Sequence, residues 1–393
     1  MRILYVGHTR FPTEKAHGKQ IAEVCSAMAL LGHEVTLVTT GVHTPIVGTP
    51  FSYYGVPEIF TWERLKSFDA LHSRLIPRPL AFMIGMWSYR RALRRYLAEN
   101  KFHLLYCRSQ AVLSVLLDSK MPVMIELHTL PKVVRKEFVR DCNRCARVVC
   151  LTSPMREALA IFGVSPQKMI VEGDAVLSDI LVDIKELFEA RPKLTGTYVV
   201  GYVGSLVARN TLEKGVNILL EALSILHKKD ASVQCLIAGG PASWQKKYEA
   251  MAEKLDVSSI VSFMGHVSSI KVPGIISQCD ILVYPAPATR HPYFLRDTSP
   301  LKLFEYMAAG KPIIAADLPP VRDIIDDSCA TFVTPGDADD LARALEYVMA
   351  DPVAARKRAL TARKRVEEHT WENRMERILL GIGKSVPQNP MHG

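Results

Sequence analysis

The stretch Asp297-Thr-Ser-Pro-Leu-Lys-Leu-Phe-Glu305-Tyr-Met-Ala-Ala-Gly310-Lys-Pro312 contains the signals of a helix that can bind an anion. Ser299 is a favoured N-cap residue, and Pro300 suits the first helical position because an N–H group there would have no helical partner. Gly310 is typical of a helix end. Since the N-terminus of a helix presents free N–H groups and the positive end of the helix dipole, this stretch predicts a phosphate site.

Glu305 places a carboxylate on the same predicted helix. It lies four residues after Leu301 and three after Lys302, so the three side chains share one helical face. The apolar run at residues 313–316 is typical of a buried parallel strand, and this helix-to-strand context favours a ligand site. We expect a phosphate at the helix tip and a hydroxyl-rich group near the carboxylate. The simpler alternative is a capped surface helix with an ordinary ion pair between Lys302 and Glu305.

The rest of the chain alternates apolar strands with amphipathic helices. A strand at residues 3–7, a helix at 19–31 and a strand ending at Thr40 form a βαβ unit, which requires a parallel sheet. Further strands are predicted at residues 104–107, 122–127, 147–152, 199–206, 233–240, 260–266, 281–285, 313–316 and 331–334. The pattern predicts an α/β protein built on parallel sheets.

Two domains suit the length of 393 residues, which is too long for one ordinary core. Weak periodicity at residues 186–197 predicts a linker, so we expect an N-terminal domain at 1–190 and a C-terminal domain at 197–370. The last amphipathic helix, within 371–385, is expected to pack back on the first domain. Ligands of parallel sheets bind at the carboxyl ends of the strands, so we expect a site in a cleft between the domains.

The composition, 48% hydrophobic and 23% charged, is that of a soluble globular protein. No apolar run reaches the ~20 residues that span a bilayer, and the N-terminal run is too short for a secretory signal, so we expect a cytoplasmic protein. Its eight cysteines should then be free thiols. Cys142 and Cys145 have the spacing of half a zinc site, but Cys150 and His128 do not complete it at a usual spacing, and no metal is expected.

Basic residues are concentrated in the first half of the chain. Residues 1–190 contain 24 basic and 18 acidic residues, which gives +6 of the total charge of +9. Residues 74–101 carry seven arginines or lysines and one acid, Glu99, around the apolar run Leu80-Ala-Phe-Met-Ile-Gly-Met-Trp87. Such a segment can lie on an anionic membrane surface; the alternative is a core helix with a solvated basic end. No nucleic-acid-binding motif accompanies this charge, so nucleic acid is not an expected partner.

A second candidate site follows the first strand of the C-terminal domain. Gly204 allows a ligand to approach the backbone closely, and Arg209 and Lys214 add two cations that suit a pyrophosphate. The Gly-x-x-x-x-Gly-Lys-Ser/Thr motif of P-loop ATPases is absent. In the N-terminal domain, His128 follows a strand directly and can exchange hydrogen bonds or a proton with a ligand, although a core or surface histidine is the ordinary alternative.

Together these motifs resemble glycosyltransferase family 4. The resemblance covers nearly the whole chain and rests on these segments: Gly32-His-Glu-Val, Glu126-Leu-His128, Gly204 with Arg209 and Lys214-Gly215, the stretch from Ser299 to Ile313, and Trp371-Glu-Asn. It implies the GT-B fold, in which two Rossmann-like parallel-sheet domains face a central cleft. It also implies retaining, metal-independent transfer from a UDP- or GDP-sugar to a glycan or lipid-linked acceptor, in cell-surface polysaccharide or glycoconjugate biosynthesis. From the charge pattern we also expect the protein to attach peripherally to the inner face of the membrane.

The resemblance further implies roles for single residues. Arg209 and Lys214 would neutralise the leaving diphosphate, Glu305 would hold the ribose hydroxyls, and His128 would hydrogen-bond the donor sugar. The candidate catalytic residues are His128, Asp297 and Glu305, with Asp297 standing where the family often has glutamate. The candidate donor-binding residues are Gly18, in the loop that borders the reaction centre, Gly204, Arg209, Lys214, Glu305 and the helix start Ser299, Pro300 and Leu301, where the N–H groups of Ser299 and Leu301 would assist.

Two other functions fit the same motifs. Another GT-B nucleotide-sugar enzyme, such as an epimerase, would convert the sugar without an acceptor. A catalytically silent subunit of a polysaccharide assembly complex would bind nucleotide without turnover. A dehydrogenase is disfavoured because no Gly-x-Gly-x-x-Gly follows the first strand.

Overall fold

The computed structural model describes residues 1–68, 77–181, 196–209, 211–268 and 271–382. The chain divides into two compact units, one formed by Met1–Gly173 with Trp371–Gly393 and the other by Asp174–Thr370. Each unit is built on one parallel sheet, which confirms the predicted α/β class. Within the described ranges, no helix is both long and apolar enough to cross a membrane.

The first unit contains a seven-stranded sheet with the order β3-β2-β1-β4-β5-β6-β7. Its strands are β1 (Arg2–Gly7), β2 (Glu34–Thr40), β3 (Thr61–Leu65), β4 (Leu104–Cys107), β5 (Val123–Leu127), β6 (Arg147–Cys150) and β7 (Met169–Val171). Its helices are α1 (Ala16–Leu30), α2 (Pro50–Tyr54), α3 (Arg78–Glu99), α4 (Gln110–Asp118), α5 (Lys136–Arg144) and α6 (Ser153–Ile161). The apolar face predicted for the first helix is buried, since Ile21, Val24 and Met28 are almost fully inaccessible.

The second unit contains a six-stranded parallel sheet with the order β12-β11-β8-β13-β14-β15 and a small antiparallel hairpin, β9–β10. The strands are β8 (Tyr198–Val203), β9 (Val207–Ala208), β10 (Leu212–Glu213), β11 (Val233–Ala238), β12 (Val261–Gly265), β13 (Ile281–Tyr284), β14 (Ile313–Ala316) and β15 (Thr331–Val333). The helices are α7 (Val216–His227), α8 (Ala242–Lys254), α9 (Val272–Ile276), α10 (Leu301–Ala308), α11 (Pro319–Arg322), α12 (Ala338–Ala350) and α13 (Pro352–Arg365). A last helix, α14 (Trp371–Leu379), belongs to the first unit.

Each sheet has a point where the strand order reverses direction. In the first sheet β1 lies beside β4, and in the second β8 lies beside β13, with connections that run to opposite sides. The loops that follow two such neighbouring strands run in opposite directions, and a crevice forms between them. Open α/β sheets bind ligands in this crevice. The fold therefore offers one crevice in each unit.

The boundary between the units lies at Gly173, earlier than the prediction at residue 190. The segment after Gly173 belongs to the second unit because the Asp174 N–H group donates to Ser299 Oγ at 2.7 Å and Val176 forms a bridge with Thr370. These long-range contacts leave no trace in local periodicity. Most of the predicted linker, at 186–195, lies outside the described residues.

Helix α14 packs on α1 within the first unit. Its residues Trp371, Met375 and Ile378 recur at helical spacing and are fully buried. Arg374, also buried, places Nη2 at 3.0 Å from Glu126 Oε2 on β5, and both side chains are only 1% exposed. Tyr106 donates a second hydrogen bond to this carboxylate. The end of the chain thus supplies the counter-ion of a carboxylate at the centre of the first sheet.

We expect Arg374→Met to lower the free energy of unfolding by about 3–5 kcal/mol, because it leaves the Glu126 carboxylate buried without a cation. Urea unfolding measures the loss. Arg377→Met is the matched control, since Arg377 pairs with Glu172 at 2.7 Å but is 39% exposed, and it should cost about 1 kcal/mol or less. Equal losses of unfolding free energy in the two variants would show that the buried pair contributes no more to stability than the exposed pair.

Candidate active site

The crevice of the second unit begins at Gly204, directly after β8. Its φ is +149°, and a Cβ atom at this position would lie 2.8 Å from Lys302 Cε and 3.0 Å from Lys302 Nζ. Any larger residue would displace the lysine. The absence of a side chain at Gly204 therefore lets the Lys302 ammonium group lie against the backbone of this loop. The close approach of a ligand to Gly204 stays a prediction.

Arg209 lies at the end of β9, in the turn of the β9–β10 hairpin, with a φ of +48°. Its Nη2 atom is 3.6 Å from Asp297 Oδ2, and its guanidinium lies 5.6 Å from the Tyr293 ring centroid. Asp297 is buried and also accepts a hydrogen bond from Arg296 Nε at 2.7 Å. Asp297 is thus an ion-pair partner that orients Arg209.

Lys214 follows the hairpin and precedes α7. The next residue, Gly215, has a φ of +82° and lies so close to the backbone of Ala286 that a Cβ atom would contact its nitrogen at 2.7 Å. Only glycine fits this turn, which fixes the point where Lys214 leaves the backbone. The charge of Lys214 acts on Lys302, whose pKa it helps to lower.

The helix predicted between Ser299 and Gly310 is α10, and two features predicted for its start are wrong: Ser299 is not its N-cap, and Pro300 is not its first helical residue. The helix begins at Leu301 with Pro300 as the cap residue, and no side chain caps it. Ser299 Oγ instead accepts a hydrogen bond from the Asp174 N–H group, a contact from a distant part of the chain. Gly310 follows the helix end with a φ of +62°, as expected. Anion binding by the N–H groups of the first turn of α10 stays a prediction.

Lys302 is the residue of this site that sequence reasoning missed. The alternative ion pair with Glu305 does not form; among the described residues Lys302 has no ion pair. Its Nζ atom lies 3.7 Å from the ring centroid of Tyr202 and 5.6 Å from that of Tyr284. The sequence feature that could have identified Lys302 as a buried residue is its position inside the otherwise apolar run Leu301–Phe304. Glu305 lies partly exposed on the same helix and raises the pKa of Lys302.

The crevice of the first unit is a cavity of about 450 Å³ at the ends of β1, β4 and β5. His128 lies here, as predicted for a residue that follows a strand, together with His17 and Arg108, which the sequence analysis did not select. The full lining is Gly7, His8, Thr9, His17, Ile21, Arg108, Ser109, Gln110, Ala111, His128, Thr129, Leu130 and Pro131. Its polar side chains, among them His17, Arg108 and His128, can exchange hydrogen bonds with a hydroxyl-rich ligand.

The imidazoles of His128 and His17 are uncharged at neutral pH. Burial, followed by the nearby Arg108 guanidinium, lowers the pKa of each to about 4. His128 Nε2 lies 2.6 Å from Glu126 Oε1. Although burial opposes ionisation of Glu126, Arg374 and the hydrogen bond from His128 hold its pKa well below the usual range. Because the carboxylate only accepts, His128 Nε2 carries the proton and Nδ1 is the acceptor.

Gly18 lies in the first turn of α1 and not in a loop, so this prediction is wrong. The helix begins at Ala16, earlier than the predicted start at Lys19. A Cβ atom at Gly18 would lie 2.0 Å from the Tyr54 hydroxyl oxygen, which exchanges hydrogen bonds with the Thr13 backbone. Gly18 therefore serves close packing, and its neighbour His17 lines the cavity.

The side chains that could ligate a metal ion are dispersed over the described part of the chain. In the described part of the chain, no group of three or more His, Cys, Asp or Glu side chains is arranged to hold a metal ion. The cysteines are all buried and free, including Cys142 and Cys145. Independence of a metal remains a prediction.

Comparison with known proteins identifies two family matches that together span most of the chain. Residues 18–171 match Glycosyltransferase Family 4, and residues 183–365 match Glycosyl transferases group 1. Glycogen synthase of Mycobacterium tuberculosis is 28% identical over 187 residues, which are 47% of this chain and 42% of that protein. The chain thus matches less than half the length of this relative.

Two further comparisons extend over nearly the whole chain. Phosphatidyl-myo-inositol mannosyltransferase of Mycobacterium leprae is 28% identical over 365 residues, covering 91% of this chain and 86% of the relative. The crystal structure of Anabaena Alr3699/HepE in complex with UDP-glucose has a TM-score of 0.65 at 16% identity and covers 96% of this chain and 99% of its own. The predicted resemblance is confirmed: the chain belongs to glycosyltransferase family 4, and its two parallel-sheet units are those of the GT-B fold.

Proposed function

We propose that this protein is a retaining glycosyltransferase that moves a sugar from a nucleoside diphosphate sugar to a glycan or lipid-linked acceptor, without a metal ion. The observation that carries the proposal is a cluster of two cations beside the N-terminus of α10 in the second unit, Arg209 and Lys214. Such a cluster suits a leaving diphosphate, whose charge grows as the glycosidic bond breaks. The relatives support the donor class, since the Anabaena neighbour is described with UDP-glucose.

Each candidate residue has a role in this proposal. Arg209, oriented by Asp297, and Lys214 stabilise the diphosphate, together with the first amides of α10. Glu305 accepts hydrogen bonds from the ribose hydroxyls. His128, whose Nδ1 atom is an acceptor, binds a hydroxyl group of the transferred sugar. The products of family relatives, from glycogen to a phosphatidylinositol mannoside, support an acceptor in polysaccharide or glycolipid synthesis.

We expect UDP or GDP to raise the melting temperature, because a ligand at 100 times its Kd stabilises a protein by about 2.7 kcal/mol.

With the matching nucleotide sugar, Lys214→Ala should lower kcat by roughly 10²–10³-fold, the effect of removing one group that stabilises developing charge. Glu305→Ala should lower kcat/KM by roughly 10–100-fold through the lost hydrogen bonds of a charged acceptor. EDTA should leave the rate unchanged, and NMR of the product should show a retained anomeric configuration.

Lys229→Ala is the matched control, because Lys229 lies in the same unit, is 53% exposed and pairs with Glu346 at 2.7 Å. Its rate should equal that of the wild type. Full activity in Lys214→Ala and Glu305→Ala would refute the site assignment. Binding of a diphosphate without turnover on any sugar would favour the silent subunit, and sugar interconversion without an acceptor would favour the epimerase.

We further propose that the protein is cytoplasmic and attaches to the inner face of the membrane through α3. Residues 74–76 of the predicted segment lie outside the described residues, but α3 itself supports the proposal. Its N-terminal half exposes large apolar side chains, and its C-terminal half is basic: Leu80, Phe82, Met83 and Trp87 are 49–66% exposed, and Arg90, Arg91, Arg94 and Arg95 follow. Trp87 beside basic residues is typical of a helix that lies in a membrane interface.

The wild type should float with vesicles that contain phosphatidylserine, less so at high salt, because the arginines contribute about 1 kcal/mol each near an anionic surface. Phe82→Glu with Met83→Glu should reduce flotation, whereas Val133→Glu should not, since Val133 is 71% exposed in the same unit but outside α3. Flotation that is absent, or insensitive to salt and to both substitutions, would contradict attachment through this helix.

A further inference from the structure

Lys302 is an unusual lysine because its whole side chain is buried. Only 9% of the residue is exposed, and its Nζ atom lies against the rings of Tyr202 and Tyr284, the last or next-to-last residues of β8 and β13. These two strands are the neighbours at which the strand order of the second sheet reverses. The ammonium group therefore lies at the base of the crevice where such sheets bind ligands.

The described residues provide no ion-pair partner for this charge. In the described part of the second unit, Lys302 forms neither an ion pair nor a hydrogen bond through its side chain. Burial lowers the pKa of Lys302 well below its usual value, Lys214 lowers it further, and Glu305 only partly opposes them. Buried cations in proteins are normally paired, since an unpaired one has lost its hydration without compensation.

The surroundings of Lys302 add positive potential. Lys214 is near enough to act on its charge, and Lys302 lies in the first turn of α10, where the helix dipole is positive. Gly204 leaves room for Lys302 Nζ at 3.0 Å from the position of a Cβ atom, so the ammonium group lies beside the open backbone of the loop after β8. An anion at this loop would meet all of these positive groups together.

We propose that Lys302 is a diphosphate-binding residue of this protein, which contacts the phosphates of the nucleotide at the Gly204 loop together with Lys214. The inference rests on the proposed function and goes beyond it by assigning a residue from the base of the crevice. Binding involves no covalent step. The rings of Tyr202 and Tyr284 position the ammonium group of Lys302 before the ligand binds. A bound phosphate then forms the ion pair that Lys302 lacks among the described residues.

The test compares Lys302→Met, Lys214→Met and Lys311→Met with the wild type, using calorimetric titration with UDP, GDP, inorganic pyrophosphate and uridine. Lys302→Met should keep its unliganded melting temperature, because replacing a buried charge by an apolar side chain of similar length is neutral or stabilising. It should bind the matching nucleoside diphosphate and pyrophosphate roughly tenfold or more weakly, since it loses a charge-assisted contact. Any affinity for uridine should not change.

Lys311→Met is the control, because Lys311 follows α10 and donates to the Ser277 carbonyl at 3.2 Å, and it should bind as the wild type does. Unchanged diphosphate affinity in Lys302→Met, with weakened affinity in Lys214→Met, would overturn the inference and leave the proposed function intact. Absence of diphosphate binding in the wild type would overturn both. Should Lys302→Met not fold, Lys302→Gln replaces it with the same expected loss.

Discussion

Parallel pairing of the strands is the constraint on which the rest of this structure depends. Every pair in the two large sheets is parallel, so each connection must return to the other end of the sheet, and helices cover both faces. The carboxyl ends of the strands then all meet at one edge. His128 after β5 and Gly204 after β8 lie at such edges for this reason.

The two crevices differ in how their charges are balanced. In the first unit, the buried Glu126 carboxylate pairs with Arg374 and accepts hydrogen bonds from Tyr106 and His128, so its charge is compensated. The histidine is neutral and has a defined tautomer. In the second unit, Arg296 and Arg209 share the Asp297 carboxylate, whereas Lys302 has no ion-pair partner among the described residues. A compensated network fixes a side chain for hydrogen bonding, and an uncompensated cation attracts an anion. This contrast suits a hydroxyl-rich group in one unit and a phosphate in the other.

Comparison of expectation and structure shows which patterns are informative. The first βαβ unit and the buried strand after α10 were predicted correctly because long apolar runs at fixed spacing report burial directly. Ser299 was assigned as a cap because serine is favoured there, but its hydroxyl is used by Asp174. The domain boundary was placed too late because contacts between residues distant in sequence attach the segment after Gly173 to the second unit. Asp174 N–H donates to Ser299 Oγ, and Val176 N–H donates to the His369 carbonyl.

The sequence by itself determined the fold family, the two parallel sheets and the positions of Arg209, Lys214, Glu305 and His128 near strand or helix ends, because these depend on periodicity and on residue types at fixed spacing. Only the tertiary structure decided how their charges are paired. The partner of Glu126 lies on the last helix, and the partner of Arg209 lies beyond the next four strands. An ordinary surface pair of Lys302 with Glu305 was only the simpler alternative for this helix, and the burial of Lys302 against Tyr202 and Tyr284 became visible only in the folded chain. Electrostatic partners depend on distance in space, which the order of residues does not record.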